Sequence, residues 1–365
     1  MKYSVIIPFH SNQNLLTLCI SSLMRSIDIC ESEIIIVDNN ASGSQIPPSV
    51  KDNAFCRIIT VPENLMYPKA VNAGVFYATG TYLILCDADI CVTPRFIDPL
   101  ITALNEDGVG YACSKLLNMQ TNNLLEFGIT YSDYNFPHPF TGRSRDFPLI
   151  SNNHYPLAAC AACSAIKKDL FVSVNGFDEK LIHSYSDIDL CLRLSANGYK
   201  TVCVADSIVY HCGASTVGSG MSVALKEDTK GVFRAKHPNI PVSIYEYLDM
   251  ACDFFISENG KVQNDYFVFD CSTIGNPTLY TDYVCKRLSI QVTSYHQRPY
   301  TKRDAMQIDY LNYIPHAIRN YRVPILYFVD SFLSFQGNAL WKICREGFGD
   351  IVLDRHANLE LLQNI

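Results

Sequence analysis

The stretch Leu83-Ile84-Leu85-Cys86-Asp87-Ala88-Asp89 runs four apolar residues straight into two acids one residue apart. A short apolar run bounded by a polar turn reads as a buried strand. Strand side chains alternate, so positions i and i+2 fall on one side, and Asp87 and Asp89 can aim at one point beyond the strand's end. Two carboxylates converging there suit Mg²⁺ or Mn²⁺, ions that commonly bridge acids to substrate phosphates. A solvated strand end would show the same letters, so the pair needs support from elsewhere in the chain.

Working outward, residues 3–8, 33–37 and 57–61 read as three further strands, with helical spacing at Leu15, Leu18, Leu23 and Met24 and again over 69–78. Strand, helix, strand at this spacing predicts an α/β fold with a mostly parallel sheet covered by helices, its ligands at the carboxyl ends of the strands. Residues 118–154 are loop-rich. Beyond them the pattern predicts a strand at 157–166, a helix near 168–174, a helix from 184–187 to Asn197 ended by Gly198, and strands at 201–204 and 207–210. The small-residue loop 213–220 reads as a lid or a plain linker. From about residue 222 the composition changes, so the chain divides into 1–221 and 222–365. The second part is expected to be a smaller mixed α/β or helical domain, with strands at 266–270 and 325–329 and a helix at 305–314. Positioning an acceptor, forming a homo-oligomer and docking another enzyme are all roles open to it.

Bulk composition narrows the class. The 365 residues are 48% hydrophobic and 18% charged, enough to bury a sizeable core. Net charge is −7, from 29 basic and 36 acidic residues, without a basic run, which argues against nucleic acid as the partner. The 15 cysteines are scattered and read as small buried hydrophobes of a reducing compartment; Cys160 and Cys163, the one close pair, have no partner pair and read as core. The first strand begins at Tyr3, and the longest apolar stretch, 323–335, contains Asp330 and is too short for a bilayer. The expectation is a cytoplasmic protein, one able to dock at the inner face of a membrane.

A second cluster supports the acid pair: Asn175-Gly176-Phe177-Asp178-Glu179, then Ser186-Asp187-Ile188-Asp189-Leu190 with Arg193, then Tyr210-His211-Cys212. Asp187 falls at a helix start, where backbone N–H groups favour a carboxylate. Asp189 and Arg193, four apart, are placed to pair structurally. His211 ends a strand and offers an imidazole beside the aspartates. The basic group Lys230, Arg234, Lys236 and His237 reads either as a solvated helix face or as a contact to a diphosphate.

Taken in order, these motifs resemble the inverting family 2 glycosyltransferases of GT-A fold, especially their rhamnosyltransferase-like branch, over residues 4 to about 215. The resemblance rests on Val5-Ile6-Ile7-Pro8-Phe9-His10, Ile36-Val37-Asp38-Asn39-Asn40, Asn64 through Asn72-Ala73-Gly74, Asp87-Ala88-Asp89, and the block from Gly176 to Arg193. It implies a nucleotide-diphospho-sugar transferase fold with a Mn²⁺ or Mg²⁺ cofactor. Pro8, His10, Asp38, Asn40, Asn72 and Asp87 would contact the nucleotide, Asp87, Asp89 and His211 the metal, and Asp178 and Glu179 the acceptor side, with Asp187 as general base. The family commonly has Glu before that Asp, where this chain has Ser186, which cannot act as a base near neutral pH. The expected partners are a nucleotide-sugar donor and a glycan or lipid-linked saccharide acceptor. A non-catalytic nucleotide-sugar-binding scaffold is the rival of a different class. A sugar nucleotidyltransferase would need a Gly-rich basic loop after the first strand, where His10-Ser11-Asn12-Gln13-Asn14 stands.

Overall fold

The computed structural model describes residues 1–39, 45–62, 64–132, 135–182, 184–212, 223–262, 265–272, 278–297, 323–332, 342 and 345–365. Asn40, the loop 213–220 and the helix expected at 305–314 lie outside the described residues. The chain forms two compact units, Met1–Thr130 with Arg143–Pro241, and Tyr131–Gly142 with Val242–Ile365.

The first unit runs β1 (Tyr3–Phe9), α1 (Gln13–Ser26), β2 (Ser32–Asp38), α2 (Pro48–Lys51), β3 (Cys56–Thr60), α3 (Met66–Tyr77), β4 (Tyr82–Cys86), β5 (Ile90–Val92), α4 (Ile97–Leu104), β6 (Val109–Asn118), β7 (Leu124–Glu126), β8 (Cys163–Lys167), α5 (Lys168–Ser173), α6 (Ser186–Ala196), β9 (Lys200–His211) and α7 (Val223–Lys236). Its sheet has the order β3-β2-β1-β4-β8-β6-β9-β5, with β7 paired to β6. The first four strands of that order are parallel, and β8 enters antiparallel between β4 and β6. Strand β1 is buried along nearly all its length, as a central strand covered on both faces must be. Helix α3 lies close on it through Gly74: a Cβ there would come within 2.6 Å of Ile6 Cγ2 and 3.0 Å of Val37 Cγ2.

Several elements depart from the sequence reading. Strand β6, buried from Val109 to Leu117, was not expected, because Gly110, Ser114 and Lys115 interrupt its apolar pattern. Lys115 is 5% exposed and sets its ammonium over the Phe127 ring at 5.2 Å. Strand β9 is continuous where two were expected; the polar Asp206 is carried in a register shift opposite Ser114 and Lys115. Strand β8 occupies only the end of the stretch 157–166, and the residues before it form a turn that bears on the site below. The unit also extends past 221: Lys236 of α7 and the adjoining His237 bind Asp189 of α6, so the division falls at Pro241/Val242 rather than 221/222.

The second unit contains α8 (Tyr245–Asn259), β10 (Asp265–Asp270), α9 (Thr278–Arg287), β11 (Gln291–Gln297), β12 (Ile325–Val329), β13 (Ile351–Asp354) and β14 (Leu359–Leu361). Its sheet has the order β11-β10-β12-β13-β14, parallel except for β14. It is thus α/β, not helical.

Candidate active site

The carboxyl ends of β1, β2 and β4 carry the expected residues. Asp87 follows β4, its N–H bonded to the Ala162 carbonyl at 2.8 Å. The next strand, β5, runs antiparallel to the end of β9, placing Ile90 opposite His211. That pairing brings His211 Nε2 to 3.1 Å from Asp89 Oδ1 and 3.9 Å from Asp87 Oδ2. One ligand atom from each of the three residues lies within 4.8 Å of the others, and this is the group of metal-ligating side chains found among the described residues. The side chains are 30%, 13% and 19% exposed for Asp87, Asp89 and His211, recessed yet open to an incoming ion. Burial pushes the Asp87 carboxyl up to about 6, against the pull of His211, with the charges of Asp89 and Asp187 adding to the rise. Burial disfavours the His211 cation, but the Asp89 hydrogen bond and the charges of Asp89 and Asp87 outweigh it and raise its pKa. Both shifts report, beside burial, the negative charge that Asp87, Asp89 and Asp187 bring to this point.

Asp187 stands in the first turn of α6. Its Oδ1 accepts from Ile188 N–H at 2.9 Å. Burial raises its pKa, and backbone donors at Ile188, Asp187 and Ala161 restrain the rise. Its charge is felt at Asp87, so base candidate and cation site share one electrostatic neighbourhood. Asp189 behaves differently. It is fully buried and accepts from Arg193 at 2.8 Å, Lys236 at 2.7 Å and His237 at 2.8 Å. Burial opposes its charge, but the hydrogen bonds from His237 and Lys236 and the Arg193 charge hold it down to about 2. Lys236 and His237 therefore serve a buried acid in the protein itself.

Asp38 ends β2 at 1% exposure, and neither carboxylate oxygen has a hydrogen-bond partner among the described residues. A buried carboxylate left unsatisfied is costly, and such groups usually mark a place filled by something else. Pro8 lies half-buried on β1, in register with Val37, and His10 follows that strand at the surface. Asn72 is already engaged: its Nδ2 donates to Phe177 O at 2.9 Å and to Glu179 Oε1 at 3.2 Å, and its Oδ1 accepts from Phe177 N at 3.0 Å. This clamp needs Gly176, at φ +58°, where a Cβ would lie 2.7 Å from Asn72 Oδ1. Asp178 accepts from Lys236 at 2.7 Å. Asn72 and Glu179 thus join at the turn before α6, with Asp178 tied to Lys236, while Asp87, Asp89 and His211 gather at the strand ends.

Sequence reasoning missed two residues. Tyr67 buries its hydroxyl without a hydrogen-bond partner, and burial followed by the charges of Asp87 and Asp187 raises its pKa. Glu126, 4% exposed, has one oxygen without a partner, and burial lifts it to about 7. Neither sits in a motif of local spacing; only the Gly128 that follows Glu126 hinted at a turn there.

Parts of the chain are similar to known proteins. The family model described as Glycosyl transferase family 2 matches residues 4–162. The chain is 27% identical over 225 residues to the O-antigen biosynthesis protein RfbC of Myxococcus xanthus, a match covering 59% of this chain and 18% of that protein. It is 24% identical over 212 residues to the uncharacterized glycosyltransferase YwdF of Bacillus subtilis (strain 168), covering 58% of this chain and 74% of that one. The chain thus spans less than a fifth of the length of the first of these relatives. The crystal structure of GalNAc-T7 with UDP, GalNAc and Mn²⁺ aligns at TM-score 0.53 and 15% identity, over 80% of this chain and 55% of that one, a likeness of fold. The family match over residues 4–162, the mixed sheet and that likeness agree: this part of the chain is similar to glycosyl transferase family 2, and the fold to that of a nucleotide-sugar glycosyltransferase.

Proposed function

We propose that this chain transfers a glycosyl group from a nucleotide-diphosphate sugar to a hydroxyl of a saccharide acceptor, with a divalent cation and with inversion at the anomeric carbon. The observation that carries the reading is the convergence of Asp87, Asp89 and His211, whose ligand atoms lie within 4.8 Å of one another, with the Asp187 charge felt at Asp87. Two hard carboxylates and an imidazole suit Mn²⁺ or Mg²⁺. A cation held by Asp87, Asp89 and His211 would supply charge neutralisation to the departing diphosphate.

The protein's own groups supply the remainder. Asp38, with two unsatisfied buried oxygens, suits an N–H donor of a nucleobase, and Pro8 and His10 belong to the neighbouring strand end. Asp187 takes the proton from the acceptor hydroxyl as its oxygen bonds to the anomeric carbon. The bond from that carbon to the diphosphate oxygen breaks, and its electron pair leaves with the nucleotide. One displacement from the opposite face inverts the centre. With Ser186 unable to act as a base and Asp189 committed to Arg193, Lys236 and His237, Asp187 is the acid left for this step. The name of the RfbC relative supports a surface glycan as the acceptor class.

The test is a panel of nucleotide-diphosphate sugars with Mn²⁺ and saccharide acceptors, reading nucleoside diphosphate release and the anomer of the product. Release that stops with a chelator and returns with Mn²⁺ is expected. A retained anomer would overturn inversion. A folded chain that binds donor yet leaves it intact would favour the non-catalytic reading.

A further inference from the structure

We propose that Glu126 is a positioning residue of the transfer site, acting through the turn before β8 that holds both Asp87 and Asp187. The inference rests on the glycosyl-transfer reading and deepens it.

Three successive residues of that turn each hold one acid. The Cys160 N–H donates to Glu126 Oε1 at 3.4 Å. The Ala161 N–H is a donor to Asp187. The Ala162 carbonyl accepts the Asp87 N–H at 2.8 Å. Acids from the end of β7, the start of α6 and the end of β4 therefore hang on three consecutive residues. Glu126 anchors this assembly from the other side, since its Oε1 also accepts from Gly128 N–H at 2.8 Å. Moving the turn would move Asp187 and Asp87 together.

The cost of the arrangement points the same way. Glu126 Oε2 is buried with no hydrogen-bond partner among the described residues, a cost that a purely structural role does not require. The charges of Asp187 and His211 bear on Glu126, and its own charge bears on the buried thiols of Cys113, Cys160, Cys191 and Cys203.

Three substitutions separate this role from a plain structural one, each read by kcat and donor KM per folded molecule and by Tm. Glu126→Ala removes the acceptor, and kcat is expected to fall about 30-fold with donor KM within about 2-fold, because small misplacements of reacting groups cost rate more than binding. Glu126→Gln keeps a carbonyl oxygen for Cys160 and Gly128, and is expected to restore kcat to within about 3-fold of wild type. Should the alanine variant not fold, Glu126→Asp, one methylene too short to reach both amides, is expected to fold and lose about 10-fold in kcat. Wild-type kcat in folded Glu126→Ala or Glu126→Asp would overturn the proposal. So would a glutamine variant as slow as alanine, or a loss confined to KM or Tm. A wild-type chain inert toward every donor would bring down the transfer reading and this inference with it. An active wild type with indifferent variants would bring down this inference alone.

Discussion

Asp350 and Asp354 of the second unit and Asp38 and Glu126 of the first are all buried acids at strand ends, yet their carboxylate oxygens are treated in opposite ways. In the second unit Asp350, just before β13, accepts from Ile325 N–H, from the Tyr327 hydroxyl and twice from Arg345 at 2.6 and 2.7 Å. Asp354, which ends β13, accepts from Phe332 N–H, His356 N–H, and both the backbone and side chain of Asn358. In the first unit Asp38 has neither oxygen satisfied, and Glu126 has one of two. Burial alone does not separate a structural acid from a functional one. Whether its hydrogen-bonding capacity is already filled does.

The largest expected effect tests the open side of that contrast. Asp187→Asn should lower glycosyl transfer about 10³-fold while donor binding and Tm stay near wild type, since it removes a proton acceptor and little packing. Near-normal turnover by the folded variant would remove Asp187 from the role. On the filled side, Arg345→Met leaves Asp350 buried and unpaired and should cost about 3–5 kcal/mol of unfolding free energy. Denaturant titration reads this, and a loss under about 1 kcal/mol would undo the distinction between filled and unfilled acids.

Asp38→Asn sharpens the same distinction. It removes an unsatisfied buried charge, so stability should rise by about 1 kcal/mol while nucleotide affinity drops about 10-fold, measured by thermal melts and donor titration. A variant that loses stability would mean Asp38 has a partner in the protein after all. An effect seen only in acid concerns Asp189, whose pKa is held at about 2 in the folded chain against an ordinary 3.8. A depressed carboxylate contributes stability that is complete above the unfolded value and is lost as pH falls through the folded one. Between pH 5 and 2 the wild type should therefore lose about 2 kcal/mol that Asp189→Asn does not lose. Parallel acid profiles for the two proteins would remove the Arg193–Lys236–His237 clamp from the account of acid stability.

Legibility followed the range of the interactions. Strands β1, β2 and β4 and the start of α6 stood out because their periodicity is local, and Asp87, Asp89 and Asp187 were readable as their polar endings. Strand β6 was hidden because Lys115 and Ser114 sit inside it, stabilised by Phe127 and Ser207 from far along the chain. The stretch 157–166 looked like one strand because its apolar letters continue into β8, whereas residues 160–162 turn and give their backbone groups to three acids. Asn72 belonged to a recognisable motif, but its amide is spent on Phe177 and Glu179.

The sequence by itself determined an alternating α/β chain with a family 2 pattern and acids delivered to strand ends, since alternation and helical spacing act over a few residues. Tertiary structure decided which acids meet and which remain unsatisfied. His211 reaches Asp89 across 122 residues because β9 pairs with β5, and Glu126 joins the site because a distant turn donates to it. Hydrogen-bond satisfaction is a property of the packed chain, and no local pattern of residues encodes it.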